Sequence, residues 1–152
     1  MKKIYLFIIA IGICTAGFSQ TKTADKFDEK LAKELGADDY GMRKYVIAFL
    51  KRGPNRTKDS VKAAELQKAH MANIGRLAEE GKLAIAGPFL DKGELRGIYI
   101  FNVETVEEAQ KLTASDPAIQ AGSLVMELHP WYGSAALGLV NKYHDKVSKI
   151  KW

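Results

Sequence analysis

Residues 70–89 read HMANIGRLAEEGKLAIAGPF, the second half of a helix, a stop at Glu80-Gly81, a short strand and a Gly-Pro turn. Leu66, His70, Ile74 and Leu77 recur at i, i+4, i+8 and i+11, so the imidazole rides on the apolar stripe and points inward. A histidine on the buried side of a helix, just before a strand that ends in Gly87-Pro88, is the most chemically suggestive feature of the chain.

Outward from this stretch, Ser60 is placed to cap the helix at its start and Gly81 to stop it. The strand that follows spans 83–86. Upstream, residues 44–51 (KYVIAFLK) form a strand that is apolar from Tyr45 to Leu50 without alternation, so both of its faces are covered. Downstream, 91–94 (DKGE) is a hairpin turn and 96–103 (RGIYIFNV) a third strand, again apolar on both faces. Thr105 and Glu108 make a capping box for a second helix, with Val106, Ala109 and Leu112 inward. Ser115-Asp116-Pro117 breaks it and opens a short helical turn. Residues 124–130 (LVMELHP) are a fourth strand, with Leu124, Met126 and Leu128 on one face and Val125, Glu127 and His129 on the other.

The order β-α-β-β-α-β predicts an α+β fold of the ferredoxin-like kind, a four-stranded antiparallel sheet with both helices on one face. A second face open to water calls for alternating strands. Strands one and three do not alternate, so something apolar must cover that face. A second copy of the same sheet would make a dimeric α+β barrel about a two-fold axis. The competing cover is the chain's own end, residues 133–152, read as a helical tail that carries Leu137, Leu139, Val140, Val147 and Ile150. A homodimer through the sheet faces is the expectation adopted.

The 152 residues divide into a leader at 1–20, a helix and connector at 21–43, the ferredoxin-like domain at 44–132 and the tail. In the leader, Lys2 and Lys3 precede an apolar run over 4–13 and small residues near Ala16, Gly17 and Ser19. That is the pattern of a secretory signal peptide, and the run is short of the ~20 residues a spanning helix needs. Export to the periplasm or medium is expected, with no stable membrane insertion after cleavage. The only cysteine, Cys14, leaves with the leader, which removes disulfides, thiol nucleophiles and thiolate metal sites from the mature chain. The formal charge of +5 is mild and its lysines are dispersed, a solubility feature with a weak preference for anionic ligands. In the second domain segment, Phe27, Leu31 and Leu35 repeat every four residues and predict a short amphipathic helix.

Several features taken in register resemble the YCII-related (YciI-like) family. They are His70 in the first helix, Glu80-Gly81-Lys82-Leu83 leading to Gly87-Pro88-Phe89, Arg96-Gly97, Glu107-Glu108-Ala109 before Asp116-Pro117, and Glu127-Leu128 before Pro130-Trp131. The resemblance covers about 44–132. It implies a dimeric ferredoxin-like barrel and His70 with Asp116 as a catalytic pair; relatives with known activity include a dehydrochlorinase acting on a chlorinated hydroquinone.

Histidine takes and gives protons near neutral pH, and a carboxylate on one ring nitrogen would fix the tautomer for acid/base work. The plain alternatives are a core histidine satisfied by a carbonyl and an aspartate that only caps the turn before Pro117. Gly87 and Pro88 lie where a pocket mouth would fall, and Arg96 can hold a carboxylate through its planar fork, so these three are the candidate substrate-binding residues. Trp131 and Tyr132 read as a staple for the tail. No metal or cofactor is expected: His70, His129 and His144 show no ligand spacing, and there is no phosphate loop or nucleophile elbow. Nucleic acid is not expected either, since Arg96-Gly97 begins like an RNA-binding motif whose aromatics are here Ile98 and Ile100. Two readings are carried forward: a cofactor-independent lyase or isomerase acting on a small organic acid through His70 and Asp116, or a periplasmic small-ligand-binding module of the same fold.

Overall fold

The computed structural model describes residues 26–150, so the leader read at 1–20 lies outside the described residues. A short helix α1 (Glu29–Glu34) comes first, capped by Asp28, whose carboxylate accepts the Leu31 N–H at 2.9 Å. Strand β1 (Met42–Arg52), helix α2 (Ser60–Glu79), strands β2 (Leu83–Pro88) and β3 (Leu95–Phe101), helices α3 (Val106–Thr113) and α4 (Pro117–Gln120) and strand β4 (Leu124–Ser134) follow. The four strands form one antiparallel sheet in the order β2-β3-β1-β4, the ferredoxin-like βαββαβ topology.

The boundaries move for local reasons. Asp59, not Ser60, caps α2: its carboxylate accepts from Val61 N at 2.9 Å and Lys62 N at 3.2 Å. A carboxylate outcompetes the neighbouring hydroxyl because it is charged and sits against the positive end of the helix. Gly81 ends α2 in the left-handed region, at φ +68°, as a C′ glycine. The Thr105 capping box forms as expected, with the Thr105 hydroxyl accepting the Glu108 N–H at 3.2 Å. Strand β4 runs on to Ser134 because its whole length pairs with β1, from Arg52↔Leu124 to Met42↔Ser134.

The helix face of the sheet holds the main core. Val46, Ala48 and Leu50 of β1 pack with Tyr99 and Phe101 of β3 and with Leu77 of α2. Leu124, Met126 and Leu128 join them from β4, on the face assigned to them by alternation. The opposite face is apolar at its Tyr45 end and carries the charged group Lys51, Glu127 and His129 toward the other. At the apolar end Tyr45, Ile100 and Ala84 are buried with Ile47, Ile85 and Leu137 against them.

Leu137 belongs to the tail. After β4 the chain makes a 3-10 turn (Ala135–Leu139) and a final helix, α5 (Val140–Val147). The Tyr45 hydroxyl donates to the Ser134 carbonyl at 3.0 Å, and the tilted Trp131 ring lies 5.9 Å from that of Tyr45. The tail therefore covers one end of the far face. On the remainder Phe49 and Ile98 are half-buried, while Val125 is 46% exposed. Among the described residues no helix is long and apolar enough to cross a membrane.

Candidate active site

His70 sits midway along α2 and turns toward the sheet, 7% exposed. Asp116 begins α4 and is fully buried. Two different segments thus meet under the sheet's helix layer, and their side chains touch: His70 Nδ1 lies 2.9 Å from Asp116 Oδ2 and 3.0 Å from Oδ1. The same carboxylate caps α4, since Oδ1 accepts the Ala118 N–H at 2.8 Å. Capping and pairing coexist because a carboxylate has lone pairs enough for both.

The tautomer follows from chemistry. An ionised carboxylate only accepts, so in the neutral imidazole the proton sits on Nδ1 and Nε2 keeps its lone pair. Nε2 points to the Tyr99 hydroxyl, 3.4 Å away, and the two rings stack with 18° between their planes. Burial, and then the negative charge of Asp116, hold the Tyr99 phenol above its ordinary range. Tyr99 is therefore a neutral hydroxyl that can donate to Nε2.

Behind the pair lies a second layer of hydrogen bonds. Asn73 is buried one turn on from His70, with Nδ2 3.5 Å from Asp116 Oδ2. Its carbonyl accepts from Arg76 Nη2 at 2.8 Å and from the Ser115 hydroxyl at 3.1 Å. Arg76 Nη2 also donates to Ser115 Oγ at 3.0 Å. This chain of contacts fixes the Asn73 amide and so the orientation of the carboxylate it faces.

A cavity of about 580 Å³ opens between α2 and β2. His70, Tyr99, Gly87, Pro88 and Arg96 all line it; Asp116 does not, lying behind the imidazole. Gly87 carries no steric requirement, since a Cβ there would meet nothing within 4 Å. The close approach that requires glycine is across the ladder at Gly97, where a Cβ would come 2.7 Å from the Gly87 carbonyl oxygen. Arg96 also donates to the Gly93 carbonyl at 3.4 Å, a long contact that leaves the guanidinium donors to spare.

The other residues singled out from sequence lie elsewhere. Glu127 pairs with Lys51 and with His129 Nε2 on the far face. Trp131 packs on Tyr45 across the β1–β4 ladder, and the Tyr132 hydroxyl donates to Asp38 of the N-terminal connector, so neither contact is with the tail they were expected to staple. Tyr99, Asn73 and Ser115 are the site residues that sequence reasoning missed. Asn73 had a visible signal, three positions after His70 on the same helical face.

These features define a class: a ferredoxin-like domain with a buried His–Asp pair whose imidazole faces a cavity beside the edge strand. The chain belongs to the YCII-related domain family, whose sequence pattern matches residues 44–132. Among solved structures, it is similar to a 5-chloro-2-hydroxyhydroquinone dehydrochlorinase from Burkholderia phenoliruptrix AC1100, solved in complex with 2,5-dihydroxybenzoquinone. Identity there is 20%, with 57% of this chain and 92% of that one covered and a TM-score of 0.42. Comparison with curated proteins gives no match.

Proposed function

We propose that the protein is an exported proton-transfer enzyme of the lyase or isomerase type that acts on a small organic acid without a cofactor. One observation carries the reading: Asp116 holds His70 Nδ1 at 2.9 Å, and His70 lines a cavity together with Tyr99, whose hydroxyl lies 3.4 Å from Nε2. Asp116 keeps the proton on Nδ1 and stabilises the imidazolium that forms when Nε2 takes a proton from substrate. The same nitrogen then returns the proton to product or to a leaving group. Arg96 supports this as the anchor for a carboxylate, and Gly87 and Pro88 as the rim against which it is held. A low-polarity cavity strengthens each of these interactions.

Export rests on the leader pattern at 1–20. Pairing of two subunits through the sheets rests on the far face, where the tail leaves Phe49, Ile98 and Val125 at least partly uncovered.

The reading is tested by incubating the full chain with a panel of unsaturated and aromatic hydroxy acids in D₂O and following deuterium uptake and product by mass spectrometry. The wild type is expected to exchange or convert at least one acid, and His70→Ala to lose that turnover while staying folded by circular dichroism, with a lower melting temperature because buried Asp116 loses its partner. Equal turnover in His70→Ala removes the catalytic role. Saturable binding with no exchange by either form means the cavity captures a ligand and does no chemistry.

A further inference from the structure

The tail beyond the family domain reaches the same cavity. Val140, Asn141 and His144 of α5 line it, and Asn141 Nδ2 donates to the Leu83 carbonyl at 2.7 Å, tying the helix to the start of β2. The opposite end is cationic. Arg96 is paired beside the end of β2, since Gly97 is opposite Pro88 and the Phe89 N–H donates to the Arg96 carbonyl. Arg56 precedes α2, and the short link from Glu79 to Leu83 makes α2 run back along β2, so Arg56 falls at the Pro88 end as well. Five strand steps of about 3.3 Å set the two ends about 16 Å apart, with His70 between them. Among the described residues that line the cavity there are two arginines and two histidines but no Asp or Glu.

We propose that α5 is the specificity wall of this site. The ligand is an elongated organic anion: its charged group is held at the Arg56 and Arg96 end, its apolar body lies past His70, and Val140 limits how far it extends. A cavity of this charge rejects cations and gains little from neutral molecules. A wall supplied from outside residues 44–132 gives this chain a length limit that the family domain by itself does not set. The proposal rests on the reading of the cavity as a ligand site.

The experiment is calorimetric titration of the full chain with benzoate, biphenyl-4-carboxylate and the uncharged biphenyl-4-methanol. Biphenyl-4-carboxylate is expected to bind at least tenfold tighter than either of the others. Val140→Trp is expected to weaken it at least tenfold and to leave benzoate within twofold. Arg96→Gln is expected to weaken both acids by a similar factor. Asn141→Ala, which releases α5 from Leu83 and trims the wall itself, is a second variant should the tryptophan disturb the fold; it is expected to relax the length limit and widen the preference for the longer acid. An unchanged length preference in both α5 variants overturns the wall and leaves the ligand site standing. Equal binding of the alcohol and the acid overturns the anion selectivity. No binding of any probe to the wild type removes the ligand site, and the wall with it.

Discussion

The Asp116 carboxylate takes a backbone N–H from Ala118 and the Nδ1–H of His70, so its removal has two separable costs. Loss of the cap costs about 1 kcal/mol, and a buried imidazole donor left without a partner about 1–3 kcal/mol more. Asp116→Ala is therefore expected to lower stability by about 2–4 kcal/mol in urea unfolding, and Asp116→Asn, which keeps an acceptor oxygen, by less. A loss in Asp116→Ala below about 1 kcal/mol means that one of the two bonds contributes nothing. The buried tyrosines give a pH prediction. Burial raises both Tyr99 and Tyr45 above the ordinary phenol value of 10.0, with Asp116 adding to the rise at Tyr99. A group whose folded-state pKa is raised binds its proton more tightly in the native state. Its contribution is complete below the unfolded value and is lost as pH climbs beyond it. Stability is expected to hold up to about pH 10 and fall above it, with phenolate absorbance from these two residues appearing only as the fold opens. Absorbance from them well before unfolding contradicts the burial argument.

At the scale of elements, Asp59→Ala is expected to cost about 1 kcal/mol and Ser60→Ala within about 0.5 kcal/mol, because the aspartate makes both capping bonds to α2. Equal costs would show that the cap is shared. Gly97→Ala places a methyl group 2.7 Å from the Gly87 carbonyl oxygen and is expected to separate β2 from β3, with amide exchange rising along β2 before the rest of the sheet. These elements also show what could be read in advance. The helical stripe of Leu66, His70, Ile74 and Leu77 announced both α2 and the inward histidine, and Asp116-Pro117 announced a capped turn, because each is encoded by short-range spacing. The meeting of His70 with Asp116 needed the family resemblance, since nothing within either segment records a contact 46 positions apart. Tyr99 and the α5 wall depend on where the strand registers and the tail fall, and no local pattern reports either one.

For the whole molecule, the lack of alternation in β1 and β3 predicted a covered far face, and the tail meets that demand at the end where Leu137 packs on Tyr45 and Ile100. In the proposed barrel, the rest would be covered by a second copy. Val125 is the sensitive probe, because at 46% exposure an aspartate there, opposite Lys51, costs a lone subunit little but would carry the burial cost of an added charge into a sheet-to-sheet dimer. Sedimentation at micromolar concentration is expected to show a dimer for the wild type and a monomer for Val125→Asp. A wild-type monomer ends the barrel proposal but leaves the His70–Asp116 geometry intact. The proposed proton transfer depends on that geometry, and long-range ¹H–¹⁵N correlation of the imidazole in the full chain reports on it. At mildly alkaline pH His70 is expected as the Nδ1–H tautomer, with an unprotonated Nε2 that shifts when a carboxylic acid enters the cavity. An Nε2–H tautomer, or an Asp116→Asn variant with an identical His70 spectrum, would contradict it.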